Sequence, residues 1–555
     1  MFQLLRLKIK EKLEFFYHKE ITVESPSRQR ADLAIPLFKL AKQTNKKSIE
    51  LAEEIKVLLQ HEPYLQTLLF ERGFLNIFFN RKAFAEKVLT EINKQKAEYG
   101  TLKPTGKVVC IDYSSPNIAK NFSVGHLRST VIGAALYNLY EKRGYQAIGI
   151  NHLGDWGTQF GKLIVAYNLW GDEELLKRDT IDYLQKLYVK FHQEELKNPE
   201  FEEQARKAFK KLEDNDEQSI KLWEHFKELS LIEFKKVYDI LGVSFDYYQG
   251  ESFYNDKMDR IVEILVEKNL LIEDQGALVV RLDNYNLPPA LIKRTDGATL
   301  YLTRDLAALL YRSENYLFDK ILYVVGNEQK LHFQQLKLVS ELMDYDFKIE
   351  HVNFGLILID GKKMATRSGK VVNLIDVIDN AIERAYQTIE SKNPQLKNKK
   401  QVAQAIGISA IVFNDLKNDR NLDIDFDLDQ MLSFEGMTGP YLQYSSVRIH
   451  SILKDQEIKQ AKDLTVFEDD VTYNLILQLS QFSHVLDRSI EENGPHLLSR
   501  YLLNLARSFN QFYAAHKIIV ETETIRNSYL YLIKATRIVL NEGLRLLGMT
   551  ALDEM

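Results

Sequence analysis

A multidomain α/β fold is predicted: an open parallel sheet interrupted by a helical insertion, with a small α/β module before it and an all-α region after it. Three observations carry this. Between residues 107 and 150, two short apolar runs rich in β-branched residues flank a polar loop and a helical apolar pattern, the order of a strand–loop–helix–strand unit. From about residue 163 to 243 the chain is helical in pattern and densely charged, with no strand signal. From Gly436 onward apolar residues recur at helical spacing, as far as Leu544-Arg-Leu-Leu-Gly548. A chain of 555 residues suits about three domains at roughly 150 residues each, and the boundaries fall near residues 100 and 425.

In chain order, residues 48–59 predict an amphipathic helix with Ile49, Ala52, Ile55, Leu58 and Leu59 on one face. Residues 74–79 predict a strand and 81–99 a helix stopped by Gly100. The turn-rich stretch 102–106 marks a boundary. The strand at 107–112 ends in Asp112, and a helix follows in which Leu127, Val131, Ile132, Ala135, Leu136 and Leu139 repeat until Gly144. Pro116 cannot donate a backbone hydrogen bond, so the loop between them stays open at the strand's carboxyl end, the ligand side of a parallel sheet. Gly125 permits close approach to a ligand. His126 then falls near a helix N-terminus, where free N–H groups favour phosphate.

A second strand, 145–150, runs into a loop with Gly154, Gly157 and Gly161, whose backbone needs are unusual. The charge run 202–217 is read as solvated helix faces. Tyr301 and Asp305 are four apart and share a helix face; a phenol and a carboxylate so placed suit a planar guanidinium. A strand over 320–325 leaves Gln329 on the ligand side. Residues 352–359 lead into a lysine-bearing stretch bounded by Gly361 and Gly369, which on its own reads as a basic surface turn. Residues 391–400 read as a basic, flexible connector, and 423–429 as an acidic run.

Composition bounds the function. Hydrophobic content of 45% and charged content of 27% are those of an ordinary globular chain. A net charge of −5 argues against indiscriminate nucleic-acid binding but not against local basic patches. The single cysteine, Cys110, allows no internal disulfide and suits a reducing cytosol. The N-terminus alternates charge too quickly for a signal peptide, and no apolar run of membrane-spanning length occurs. There is no Gly-x4-Gly-Lys-Ser/Thr loop, no Gly-x-Gly-x-x-Gly fingerprint, no His-Glu-x-x-His and no cysteine pair for zinc.

The stretch Ser114-Ser-Pro-Asn-Ile-Ala-Lys120, followed by Ser123-Val-Gly-His-Leu-Arg-Ser129, resembles the His-x-Gly-His nucleotide motif of class I aminoacyl-tRNA synthetases, and the arginyl-tRNA synthetases in particular. Leu153-Gly-Asp-Trp-Gly-Thr-Gln-Phe-Gly161 is similar to the same family, and Gly361-Lys-Lys-Met-Ala-Thr-Arg-Ser-Gly-Lys370 resembles its altered Lys-Met-Ser-Lys-Ser loop. The resemblance covers nearly the whole chain. It implies a Rossmann-like catalytic domain over 101–425, an added N-terminal domain over 1–100 that touches the tRNA corner, and a helical anticodon-binding domain over 426–555, where Tyr441 and Tyr444 are candidates for stacking on bases.

The implied activity is ATP-dependent conversion of L-arginine to arginyl-adenylate and its transfer to the terminal adenosine of tRNA(Arg), with activation waiting for bound tRNA. A cytoplasmic monomer is expected, with Mg2+ neutralising phosphate charge and no membrane partner. His126, Lys120 and Lys363 are the implied catalytic residues. ATP is assigned to Pro116, Ser123, Gly125, His126, Lys363, Met364 and Arg367, and arginine to Asp112, Ser115, Asn117, His126, Tyr301, Asp305 and Gln329. No resident metal ligands are implied. Two departures stand out: Ser123 replaces the first motif histidine, and Thr366 replaces the second lysine, whose work Lys120 would take over. Two alternatives stay open: a class I synthetase for another amino acid and, supported by these two departures, a tRNA-binding paralogue without catalysis.

Overall fold

The computed structural model describes residues 1–26, 31–294, 301–359, 361–363 and 372–555. At its centre lies a five-stranded parallel sheet in the order Ile349–His351, Lys320–Tyr323, Val108–Asp112, Gln146–Asn151, Tyr247–Tyr248. The order runs outward both ways from Val108–Asp112, so the crevice at that strand's carboxyl end is where a parallel sheet opens to ligand. Cys110 and Ile111 are buried within this strand, as its β-branched run requires, and burial pushes the Cys110 thiol up to about 12.

The insertion is helical as expected: Thr158–Trp170, Glu173–Glu195, Glu200–Glu213 and Glu217–Leu241. Asp172 and Asp216 cap the second and fourth helices by accepting from N–H groups of the first turn, and Gly242, at φ 67°, ends the last one. Beyond it stands an antiparallel sheet, Leu271–Asp274, Ala277–Val280 and Ala290–Lys293, which the sequence reading did not anticipate. Its hairpin turns on Gln275 and Gly276, at φ 52° and 82°. Two positive φ values suit the twist of a two-residue hairpin, but Gln in the first position hides the signal.

The N-terminal module is a three-stranded antiparallel sheet, Leu33–Pro36, Phe74–Phe79 and Leu65–Glu71, with helices around it. The helix Ser48–Leu59 has the expected bounds, but its buried face is turned: Leu51, Ala52, Ile55 and Leu59 are inside, and Ile49 is exposed. The C-terminal region is helical, with Gly439–Leu453, Asp470–Ser480, Phe482–Glu491, His496–Ala515 and Glu523–Leu546. Arg81–Gln95 of the N-terminal module packs against Asp470–Ser480 and Glu523–Leu546. Phe84, Val88, Leu89 and Ile92 are buried there, Arg81 lies over the Tyr473 ring, and Asn93 donates to the Tyr531 carbonyl. The Met1 amino group reaches the Ser480 carbonyl at 3.3 Å.

The expected flexible connector at 391–400 is instead a short packed turn between Leu374–Lys392 and Lys399–Leu416. Leu396 is buried in it, and the Asn393 amide donates to the carbonyl of Met555 at 3.0 Å. Its lysines misled because Lys392, Lys397 and Lys400 face solvent around that turn. The acidic run contributes the strand Ile424–Asp425, which pairs with Ile357–Leu358, and the helix cap Asp427. Among the described residues no helix is long and apolar enough to cross a membrane.

Candidate active site

The loop after Val108–Asp112 is conformationally unusual. Ser114, Ser115 and Ala119 all have positive φ (69°, 48° and 59°), although none is glycine. Such conformations cost about 1–3 kcal/mol each and persist only where their surroundings fix them. Here they are fixed by the motif residues. The Ser114 amide donates to Ser129 Oγ at 2.8 Å, Thr130 Oγ1 donates to Ser114 Oγ at 2.9 Å, and the Ala119 amide donates to Ser230 Oγ of the insertion at 3.0 Å. Arg128, fully buried, pairs with Asp415 at 3.1 Å and donates to the Leu422 carbonyl, tying the following helix down.

The second glycine-rich loop lies alongside. The Gly154 amide donates to the Pro116 carbonyl and the Ile118 amide donates to the Gly154 carbonyl, both at 3.1 Å. A Cβ at position 154 would sit 2.0 Å from Asn117 Oδ1, so any other residue there would displace the Asn117 side chain. Pro116 and Asn117 are thus held by backbone pairing rather than by side-chain contacts.

Ser123 and His126 form a closed unit. The Ser123 amide donates to His126 Nδ1 at 3.0 Å, with Ser123 Oγ 3.1 Å from the same nitrogen. A ring nitrogen that accepts leaves the proton on Nε2, which makes His126 a neutral donor. Burial pushes its pKa down to about 4, and the Lys120 charge acts in the same direction. Gly125 and Lys120 are exposed on this loop.

Lys363 ends the short strand Lys362–Lys363, which pairs with Leu358 and Ile359. Met364, Thr366 and Arg367 lie outside the described residues. The chain returns at Val372, whose carbonyl accepts from the Val124 amide at 3.1 Å, and the Leu374 amide donates to the Phe122 carbonyl at 2.9 Å. The lysine-bearing stretch therefore re-enters the described fold directly against the Ser123–His126 loop.

Across the crevice, Tyr301–Tyr316 brings Asp305 and Arg312 to one helix face, seven residues apart. Asp305 Oδ2 lies 2.6 Å from His332 Nε2, and Oδ1 lies 3.7 Å from His152 Nε2. Burial pushes the Asp305 carboxyl up, but the His332 hydrogen bond and the charges of His332, His152 and Arg312 outweigh it and hold the carboxyl below its ordinary range. Arg312 is fully buried and pairs with Asp112 Oδ2 at 2.8 Å, while Ser115 Oγ donates to Asp112 Oδ1 at 3.0 Å. Both oxygens of Asp112 are engaged within the protein, so the structure brings it to Arg312 and Ser115 rather than to open space. Tyr301 and Gln329 are exposed at the starts of their elements. Glu251, paired with Arg304 at 3.1 Å, is pushed up to about 7 by burial.

Arg312, His332 and His152 were not singled out in the sequence. Arg312 was findable, because it lies two helical turns after Asp305. The histidines were not, since their meeting with Asp305 depends on tertiary structure.

A parallel sheet split by a helical insertion, with a Gly-His loop at its carboxyl edge and the backbone of Val372 and Leu374 bonded to that loop, defines a class I aminoacyl-tRNA synthetase. Family comparison agrees. The model described as tRNA synthetases class I (R), catalytic domain, matches residues 88–428; the arginyl tRNA synthetase N terminal domain matches 3–79; and the DALR anticodon binding domain matches 442–555. The chain is 49% identical over 540 residues to an arginine–tRNA ligase of Exiguobacterium sp., covering 97% of this chain and 96% of that one. To the arginine–tRNA ligase of Alkaliphilus metalliredigens it is 46% identical over 535 residues, covering 96% and 94%. Its fold matches the Thermus thermophilus arginyl-tRNA synthetase with a TM-score of 0.86 at 24% identity, covering all of both chains. It matches that of Plasmodium falciparum with a TM-score of 0.83 at 25% identity, covering 100% and 99%. The chain belongs to the arginyl-tRNA synthetases.

Proposed function

We propose that this arginine–tRNA ligase divides its chemistry between the two walls of the crevice. The observation that carries this is the ionised Asp305 carboxylate on one wall, opposite a neutral N–H donor, His126, on the other. Asp305, with Tyr301 beside the opening, takes the arginine guanidinium, and Ser115, Asn117, His126 and Gln329 serve the rest of the amino acid. Asp112 acts behind them by fixing Ser115. The arginine carboxylate attacks the α-phosphorus of ATP, arginyl-adenylate forms and pyrophosphate leaves. The 2′-hydroxyl of the terminal tRNA adenosine then attacks the arginyl carbonyl and AMP departs.

The protein positions these groups and stabilises charge that develops on phosphate. Pro116, Ser123, Gly125 and His126 are assigned to ATP, together with Lys363, Met364 and Arg367. Mg2+ is assigned to the substrate, arriving on the ATP phosphates and neutralising their charge. The N-terminal module (1–100) and C-terminal helices (426–555) are assigned to the tRNA corner and anticodon. In the latter, Arg448 lies over the rings of Tyr444 and Tyr513 in a stacking arrangement, while Tyr441 is half-buried and bonded to Asn510. The enzyme is assigned to the cytoplasm and to a monomeric state.

ATP–pyrophosphate exchange with each amino acid, with and without tRNA, tests this reading. Exchange is expected with arginine alone and only when tRNA is bound. Exchange with another amino acid, or with none, would replace it. His126→Ala is expected to slow adenylate formation by about 10²-fold, the usual worth of one preorganised donor, while arginine affinity falls much less. Single-turnover measurements check both. Lys120→Ala should lower the activation rate by roughly tenfold or more, and Thr366→Lys in that background should restore part of it. A double-mutant cycle reads the coupling, and strict additivity would remove Lys120 as the substitute cation.

A further inference from the structure

We propose that His332 and the arginine guanidinium compete for Asp305, so that arginine is taken up as the imidazole gives up a proton to solvent. The proposal deepens the reading above and rests on Asp305 as the guanidinium acceptor. The 2.6 Å contact joins His332 Nε2 to Asp305 Oδ2, and an ionised carboxylate only accepts, so Nε2 carries a hydrogen. While the imidazole is neutral, the pair presents one full negative charge to the crevice. Once Nδ1 also binds a proton, the pair is electrically balanced and its attraction for a guanidinium is spent. Guanidinium cannot shed its own charge, so the adjustment falls on the histidine.

The surrounding charges single out this group. Arg312 is balanced by Asp112 at 2.8 Å, and Glu251 faces Arg304 at 3.1 Å. Tyr323, on the strand beneath, stays protonated because burial drives its pKa far up. Burial pushes the His351 pKa down, with Arg420 and His332 acting in the same direction and the Val325 carbonyl and Glu328 against it. His152 is the other imidazole near Asp305, but at 3.7 Å it is beyond hydrogen-bond length. Its Nδ1 lies 3.1 Å from the Gln249 carbonyl and 3.4 Å from Arg312 Nη2, so that side of the ring is engaged within the protein. His332, about one-fifth exposed, keeps contact with solvent through which a proton can leave. Histidine is also the side chain whose charge changes near neutral pH.

Calorimetric titration of L-arginine into the full-length enzyme, from pH 6 to 8 and in buffers of different ionisation enthalpy, reads both affinity and proton release. Wild type is expected to lose about tenfold in affinity from pH 8 to pH 6 and to release a fraction of a proton on binding. His332→Gln keeps an N–H for Asp305 but cannot titrate. It should give a flat profile, with affinity at pH 8 within about threefold of wild type. His152→Gln should keep the slope. A flat wild-type profile, a sloping His332→Gln profile, or a slope lost in His152→Gln alone would each overturn the competition. Asp305→Asn separates the two levels. Unchanged arginine affinity in that variant removes Asp305 as the acceptor, whereas collapsed affinity alongside a flat wild-type profile removes the competition only.

Discussion

Asp305→Asn raises the arginine KM by about 10³-fold, on the order of 4 kcal/mol, and leaves the ATP KM nearly untouched. The size follows from the surroundings. Asp305 sits among His332, His152 and Arg312, all donors or positive charges, and its own negative charge keeps that cluster from repelling a cation. An asparagine there accepts through one oxygen and presents an NH2 group to the others. The guanidinium then loses a charge-assisted partner and meets Arg312 without the intervening carboxylate. Initial-rate aminoacylation with each substrate varied in turn checks this. Equal rises in both KM values would point to a folding defect instead.

Arg312→Met lowers the free energy of unfolding by about 3–5 kcal/mol, because it strands the Asp112 carboxylate in the interior without a counter-charge. The side chains are 1% and 6% exposed, so water cannot repair the loss. The guanidinium is also packed 5.8 Å from the ring centres of Tyr254 and Tyr323, which methionine only partly replaces. Adding Asp112→Asn to Arg312→Met should recover part of the stability, since the uncompensated charge is then gone. Denaturant midpoints of the single and double variants decide it. A double variant less stable than Arg312→Met would mean that Asp112 has another favourable partner. Activity should fail to recover in the double variant, because Ser115 Oγ leans on the Asp112 carboxylate at 3.0 Å.

Much of the crevice was legible because it is built on short-range patterns. The strand at Val108–Asp112, the helix after His126, and the shared face of Tyr301 and Asp305 follow from periods of two and of 3.6 residues. What stayed hidden depends on distant partners. The resemblance gave Asp112 to arginine, and nothing local shows that Arg312, two hundred residues on, lies against it. The rotation of the Ser48–Leu59 face, which leaves Ile49 outside and Leu51 inside, was ambiguous because both residues are apolar and two apart. The hairpin at Gln275-Gly276 lacked the usual asparagine or aspartate. The basic stretch at 391–400 shows the opposite error: composition suggested slack where Leu396 and Asn393 make a packed corner.

The seam between Arg81–Gln95 and the helices Asp470–Ser480 and Glu523–Leu546 has a consequence for how the chain comes off the ribosome. The first partner is made early and the others near the end. At about 5–20 residues per second, the roughly 400 residues between them take on the order of half a minute to emerge. Throughout that interval the helix carrying Phe84, Val88, Leu89 and Ile92 lacks both C-terminal partners it packs against in the finished molecule. The nascent N-terminal module therefore carries a sticky apolar stripe, a natural landing place for a holdase chaperone. Release from a chaperone trap should coincide with synthesis of the last helix rather than with completion of the module's own sheet.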